Sequence, residues 1–429
     1  MSEHTYDYVI LGNSTAAIAA MEAIREKDAQ GSMAIVSDQM AHCYCSPLIT
    51  YVLCGKVPEE RLNYRPRDVY RQLQVTTYLG RAATRLDPAA HTVTLADGVE
   101  LRYGKLLLAT GGTPIVPDLP GVDLQGVFTF TRYEDMARVR EFINSHKVRQ
   151  AVVVGAGMIG VKVAEAFATL GLETTVVELR DRVLALALDE TGSEMAEQAL
   201  EDHRVRVITS SAVTSLGGSN GLVQSVTLDS GSRLPAQVVV MAVGVRPNIK
   251  LAQQAGLGVN RGVLVDDHLR TSDPYIYAAG DVAEAYDPLT GEPRPLAIWP
   301  AAYLQGEIAG RNMAGTDVTY EGSIAMNSIQ VCGLPTISVG LVEPPGRAEV
   351  LEYRSADGKS YRRMFLVNDR IVGAVFVGDV DRAGIITGLI RSQMDVSSFK
   401  EKLIQRDLGL LSLPKQYRKH IVMGPGIEV

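Results

Sequence analysis

The chain has 429 residues, 46% of them apolar and 21% charged, with a formal net charge of −7. That length suggests roughly two to four domains, with no Lys/Arg-rich run to point to nucleic acid and no apolar stretch near the roughly 20 residues that a bilayer span needs. Four cysteines exclude a disulfide scaffold and fit a reducing cytoplasm, and the opening MSEHTYDYVILGN lacks the basic start of a secretory signal.

Residues 6–27, YDYVILGNSTAAIAAMEAIREK, read as a buried strand, a tight turn and an amphipathic helix. The turn has the G-x-G-x-x-G frame of a dinucleotide site, with Gly12, Ser14 and Ala17 at the glycine positions. Gly12 permits the sharp turn, and Ala17 is small enough to let the helix lie on the sheet. Ser14 takes room where backbone would meet a pyrophosphate, yet offers it a hydroxyl. AIVSDQ (34–39) ends a second strand and places Asp38 where a ribose hydroxyl would need it. Taken alone, this motif leaves cofactor binding and a plain βαβ unit both open.

HCYCSPLITYVLCGK (42–56) holds three of the four cysteines. Cys43 and Cys45 are separated by one residue, a spacing that is poor geometry for a disulfide. Cys54 follows nine residues later, and Cys332 stands apart. None of these spacings is that of a zinc or iron–sulfur ligand run, so no metal site is expected.

YGKLLLATGGTP (103–114) is an apolar strand running into a Gly-rich turn. RQAVVVGAGMIGVKVAEAFATLG (149–171) then repeats the dinucleotide turn in full, with Gly155, Gly157 and Gly160 between a Val-rich strand and a helix. Amide groups at such a helix start suit a pyrophosphate. TTVVEL (174–179) presents Glu178, whose carboxylate suits a free ribose 2′-hydroxyl and repels a 2′-phosphate, so NADH is expected over NADPH, with Arg180 and Arg182 as the reservation. VVVMAVGVRPN (238–248) and TSDPYIYAAGDVAE (271–284) each run a strand into a glycine turn, and Asp281 follows Gly280 at a probable helix start. An N-cap role alone would also account for that Asp.

Gly12 to Ala17, ATGG (109–112), GAGMIG (155–160), AVGVRPN (242–248) and YAAGDVAE (277–284) occur in the order found in the pyridine nucleotide–disulfide oxidoreductase family, which this chain resembles over about residues 5–320. The likeness is greatest to the branch of NADH oxidases, the nitrite reductase large subunit, and rubredoxin and ferredoxin reductases. IWPAAYLQGEIAGRNMAG (298–315) and VGDVDRAGIITGLIRSQMDVSSFK (377–400) strengthen it. The resemblance implies an α/β fold with two Rossmann-like dinucleotide-binding domains and a C-terminal α+β interface domain. The FAD domain would be discontinuous, 1–116 and 245–320, with an NAD domain at 117–244 and the interface domain at 321–429.

By the same resemblance, FAD would be held by Gly12, Asn13, Ser14, Thr15, Ala16, Ala17, Asp38, Ser46, Pro47, Thr110, Gly111, Gly280, Asp281, Trp299 and Gln305. NAD would be held by Gly155, Gly157, Met158, Ile159, Gly160 and Glu178, with Gly244 near the nicotinamide. Disulfide members carry a C-x4-C pair after the second strand, and others a single Cys; here Pro47 falls where that single thiol would stand. Much of the family also places a Glu two residues past the third NAD-turn glycine, paired with a Lys near flavin N5. This chain has Lys162 there, with Ile49, Thr50 and Tyr51 on the opposite helix. Lys162 is therefore the candidate catalytic residue, a cation beside N5. His42, His91, His203, His268 and His420 are scattered among polar neighbours and form no proton relay.

The expected activity is hydride exchange between NAD(H) and FAD, with single electrons passing to an iron–sulfur or rubredoxin-like partner. The chain would then serve alone or as the flavin subunit of a larger dehydrogenase complex. A homodimer through the last domain is the usual arrangement in relatives, and Lys415, Arg418 and Lys419 in the tail offer a docking patch for an acidic carrier. The alternative is an NADH oxidase or CoA-disulfide reductase-like enzyme that uses a cysteine thiol.

Overall fold

A computed structural model describes residues 4–405, 408–409 and 412–414. The tail patch of Lys415, Arg418 and Lys419, and His420, lies outside the described residues. Two compact units emerge. The first comprises Met1–Pro117, Phe128–Lys147 and Val243–Ser323, and the second Asp118–Val127, Val148–Ala242 and Ile324–Val429. The stretch Phe128–Lys147, expected within the NAD domain, groups with the first unit. The residues from Ile324 on group in one unit with Val148–Ala242.

The first unit is built on strands with runs of buried aliphatic side chains. Parallel strands Val75–Leu79, Met33–Ser37, His4–Leu11 and Glu100–Leu108 lie side by side, and Ile276–Ala278 adds to the last of these. The register pairs Leu11 with both Val36 and Leu108, and Leu108 with Ala278. Gly12, Ala109 and Ala279 therefore leave the sheet at one level, at the carboxyl edge where open α/β sheets bind ligands. Helix Thr15–Lys27 covers one face, and helix Trp299–Met313 lies across it at very short range. A Cβ on Gly306 would stand 2.1 Å from the Ala16 carbonyl oxygen, and one on Gly310 would stand 2.5 Å from that of Ala20. Only glycine permits that approach. Strands Gly112–Pro114 and Val245–Pro247 pair antiparallel, tying together two segments more than a hundred residues apart.

The second unit repeats the plan. Its parallel core runs in the order Val205–Ile208, Glu173–Val177, Gln150–Val154 and Val238–Met241, with Val154 level with Val177 and Met241. An antiparallel sheet of Val213–Ser219, Leu222–Leu228 and Arg233–Pro235 is attached. Residues 326–391 form a five-stranded antiparallel sheet followed by helix Ala383–Arg391. Several contacts fasten it to the nucleotide half, two of them as follows. At one, Asp189, the N-cap of helix Glu190–Asp202, accepts from Tyr361 Oη (2.6 Å) and from Arg363 Nη1 (3.0 Å). The other is the hairpin tip Cys332–Gly333, where both residues have positive φ as a two-residue turn requires; its Cys332 amide donates to Glu165 Oε2 at 3.3 Å. Among the described residues, no helix is long and apolar enough to cross a membrane.

Candidate functional site

At the first glycine turn the backbone is drawn tight. Gly12 has φ +126°, and a Cβ there would stand 2.0 Å from the Ala109 carbonyl oxygen. Its amide donates to Val36 O at 2.8 Å. Ser14 caps the helix in extended conformation but makes no capping hydrogen bond, which leaves its exposed hydroxyl available. Thr15, with Oγ1 buried and unpartnered, sits at the first helical position, while Ala16 and Ala17 are packed into the core. An orphan hydroxyl at a helix start, beside unsatisfied first-turn amides, is what a pyrophosphate would complete.

Asn13 is held by a short chain of bonds. Its amide donates to Ala41 O (3.1 Å), and its carbonyl accepts from Tyr70 Oη (2.7 Å), whose oxygen in turn accepts from the Cys43 amide (3.1 Å). Asp38 lies at the end of the second strand as expected, and Arg132 Nη1 donates to it at 2.7 Å. Sequence reasoning missed Arg132, because the pair spans 94 positions and no local pattern announces it. Thr110 Oγ1 donates to Asn248 O (3.3 Å), and the Gly111 carbonyl accepts from Asn248 N (2.9 Å), so this turn is fastened to the returning segment.

Gly280 is left-handed at φ +80°, with its Cβ position 3.2 Å from Ala16 Cβ. Asp281 follows it. Burial alone pushes its carboxyl up to about 6, as for an acid awaiting donors such as sugar hydroxyls. Gln305 was expected at the flavin, yet both ends of its amide serve the scaffold: Oε1 accepts from Gly280 N (2.8 Å), and Nε2 donates to Tyr320 Oη (3.1 Å). Trp299 opens its helix edge-on to Tyr64, with ring centroids 5.0 Å apart.

The cysteine segment forms the short turn Ser46–Leu48 and helix Ile49–Leu53, with Pro47 exposed. Cys43 is fully buried and Cys45 half-buried. Burial pushes both thiols up from their ordinary value, away from the thiolate that thiol chemistry uses. No cysteine is disulfide-bonded. Thr50 on this helix is buried with its hydroxyl unpartnered.

At the second turn, Gly160 packs its α-carbon against Gly155, where a Cβ would stand 1.9 Å from the carbonyl oxygen. Gly157 caps helix Met158–Thr169, and Met158 is exposed at its start, with Ile159 half-buried behind it. Glu178 folds back over the turn. Its Oε2 accepts from Ala156 N (2.6 Å) and its Oε1 from Arg180 N (2.8 Å), which fixes the carboxylate where a ribose on this turn would reach it. Gly244, which belongs to the first unit, has φ +128°, and its carbonyl accepts from Ile115 N of the same unit. Lys162, expected as a cation beside flavin N5, donates its ammonium to Glu165 Oε2 (2.6 Å) and to the Gln330 carbonyl (3.0 Å). Elsewhere Asp266, Asp267 and His268 converge at the surface, where the imidazole bonds Asp267 and Asp317.

Two Rossmann-type units, each with a glycine turn at the carboxyl edge of a parallel sheet and an acid at the end of the next strand, define a protein that binds two dinucleotides. The family model for pyridine nucleotide-disulphide oxidoreductases matches residues 6–306, and that for the rubredoxin NAD+ reductase C-terminal domain matches residues 326–394. The chain belongs to the pyridine nucleotide-disulphide oxidoreductase family, and it is an FAD-dependent NAD(P)H oxidoreductase. It is similar to the epsilon subunit of NADH-dependent phenylglyoxylate dehydrogenase from Aromatoleum evansii, at 31% identity over 95% of this chain and 96% of that one. Among solved structures, it resembles an NAD-dependent persulfide reductase from A. fulgidus, with a TM-score of 0.86 and 27% identity over 94% of this chain and 79% of that one. It also resembles the reductase in a covalent putidaredoxin reductase–putidaredoxin complex, with a TM-score of 0.84 and 25% identity over 91% and 94% of the two chains.

Proposed function

We propose that this chain moves reducing equivalents between NADH and a separate redox protein without a thiol relay. What supports this reading is the segment after the second strand: burial pushes the Cys43 and Cys45 thiols up from their ordinary value, and by the family resemblance Pro47 would fall where the single cysteine stands. Bound FAD would supply hydride exchange with the nicotinamide and single-electron exchange with an iron–sulfur or rubredoxin-like partner.

The residues of the chain divide the remaining work. First-turn amides, the Ser14 and Thr15 hydroxyls and the Gly280–Asp281 turn would hold FAD. Asp38, already held by Arg132, would take the adenosine ribose, and Ser46, Pro47, Thr110, Gly111, Trp299 and Gln305 would frame the flavin end. The amides following Gly157 and the carboxylate of Glu178 would hold NAD, and that carboxylate favours NADH. Lys162 is carried forward as the positive charge for flavin N5, with Glu165 and the Gln330 carbonyl fixing its ammonium. Lys162→Met should then slow flavin reduction by NADH about tenfold or more with little change in NADH binding. Equal rates would leave Lys162 as an anchor of the hairpin only.

Similarity along the whole length to a dehydrogenase subunit supports a place in a larger complex, and likeness to a reductase joined to putidaredoxin supports a small protein partner. A homodimer through residues 321–429 and a cytoplasmic setting complete the proposal. The competing thiol-dependent reading draws on the likeness to a persulfide reductase. Alkylating the cysteines of the flavin-loaded protein separates the two. NADH turnover with an artificial one-electron acceptor should persist, and its abolition in both the alkylated protein and a Cys43→Ser, Cys45→Ser, Cys54→Ser variant would overturn the proposal.

A further inference from the structure

The loop after Glu178 is pinned to the glycine turn at both ends through one residue. Ala156 N donates to Glu178 Oε2, and the Ala156 carbonyl accepts from Leu184 N at 2.8 Å. Each residue from 179 to 183 therefore lies within about three chain steps of a pin, at most roughly 11 Å by backbone reach. Two arginines ride on this loop. Arg180 is exposed. Arg182 is drawn in, with its side chain 21% exposed, and its guanidinium is claimed by two carboxylates: Nη1 meets Asp181 Oδ1 at 3.1 Å, and Nη2 meets Glu343 Oε1 at 2.5 Å. Glu343 does not belong to the nucleotide-binding half. It stands on the loop between strands Leu334–Gly340 and Glu349–Arg354 of the C-terminal sheet.

A 2′-phosphate carries about −1.5 to −2 charges at neutral pH and needs a guanidinium with unoccupied N–H groups. Arg182 is the cation in this loop that could supply one from a partly desolvated position, and one positive charge already faces two negative ones. We propose that Glu343 is a positioning residue for nucleotide specificity: by holding the Arg182 guanidinium from the C-terminal domain, it denies a 2′-phosphorylated adenosine the contact it needs. Discrimination against NADPH then has two sources, direct repulsion by Glu178 and sequestration of Arg182. This rests on the NAD reading of the second glycine turn.

Calorimetric titration of the flavin-loaded full chain with 5′-AMP and with 2′,5′-ADP tests it without recourse to turnover. The wild type should prefer 5′-AMP. Glu343→Gln should tighten 2′,5′-ADP about fivefold, the scale of one partly exposed ion pair, and leave the 5′-AMP affinity as it was. Glu343→Asp should restore the wild-type ratio, and adding Arg182→Ala to Glu343→Gln should erase the gain. In steady-state assays the gain should appear as a lower KM for NADPH at similar kcat. An unchanged ratio of the two affinities in Glu343→Gln and Glu343→Ala, or equal changes for both ligands, would overturn the role of Glu343 while leaving the site intact. If the wild type binds neither ligand nor NADH, the NAD reading fails and takes this inference with it.

Discussion

The two glycine turns solve one problem in different ways. In both, the first glycine donates its amide to the end of the next strand, Gly12 to Val36 and Gly155 to Val177, at 2.8 and 2.7 Å. They differ in where small residues are needed and in what holds the acid. At the second turn, closeness is achieved within the motif: Gly160 lies against Gly155, and Glu178 folds back onto the amide of Ala156. At the first turn, the third glycine is replaced by Ala17. The close approach passes instead to Gly306 and Gly310 on a helix almost 300 residues away, and the acid is held by Arg132. A motif that departs from its consensus can thus have its missing features supplied by distant parts of the same unit.

Substitutions can break this contrast. The largest effect is expected from Gly12→Ala, which combines a left-handed φ with a Cβ inside contact distance of Ala109 O; a loss of roughly 3 kcal/mol or more should appear as a drop in Tm together with failure to retain flavin. Gly306→Ala should cost about 2 kcal/mol, visible in chemical denaturation. Ala17→Gly, at the motif position itself, should change stability by only about 1 kcal/mol; a larger effect there than at Gly306 would refute the division of labour.

Asp281 sharpens the comparison through pH. Its folded carboxyl lies at about 6, above the roughly 4 of an unfolded Asp, so the folded flavin-free protein binds a proton more firmly than the unfolded chain. Its stability should therefore fall as pH rises from about 4 to about 6 and then level off. Asp281→Asn should match the wild type in Tm below pH 4 and exceed it above pH 6, measured by thermal melts across that range. The smallest effect belongs to Asp38→Asn. Its pair with Arg132 is about half solvent-exposed, so the fold should lose no more than about 1 kcal/mol. Glu178→Gln, by contrast, should weaken NADH measurably by loosening the carboxylate's hold on the ribose.

What the sequence made legible follows from range. Gly155, Gly157, Gly160 and Glu178 lie within 24 residues, and each is required by local geometry, so the strand–turn–helix and its acid are where the pattern puts them. Long-range partners were not legible. Glu165 lies only three residues along the same helix from Lys162, but nothing near Lys162 signals that the Gln330 carbonyl also engages its ammonium, and nothing near Gln305 shows that Gly280 and Tyr320 occupy its amide. Both residues were assigned to chemistry on the strength of position in a family pattern, while the pairings that define their surroundings depend on packing between elements.

The strand Ile276–Ala278 pairs with Leu106–Leu108 across about 170 residues of intervening chain. A nascent polypeptide emerging from the ribosome therefore completes the whole second nucleotide fold before the first can close its sheet. Until then the Leu-rich edge at 106–108 lacks its neighbour and is open to pairing with other chains. At about 5–20 residues per second of synthesis, that interval lasts on the order of ten seconds or more, which makes this edge a natural client for a chaperone and gives truncations that end before residue 276 a reason to aggregate.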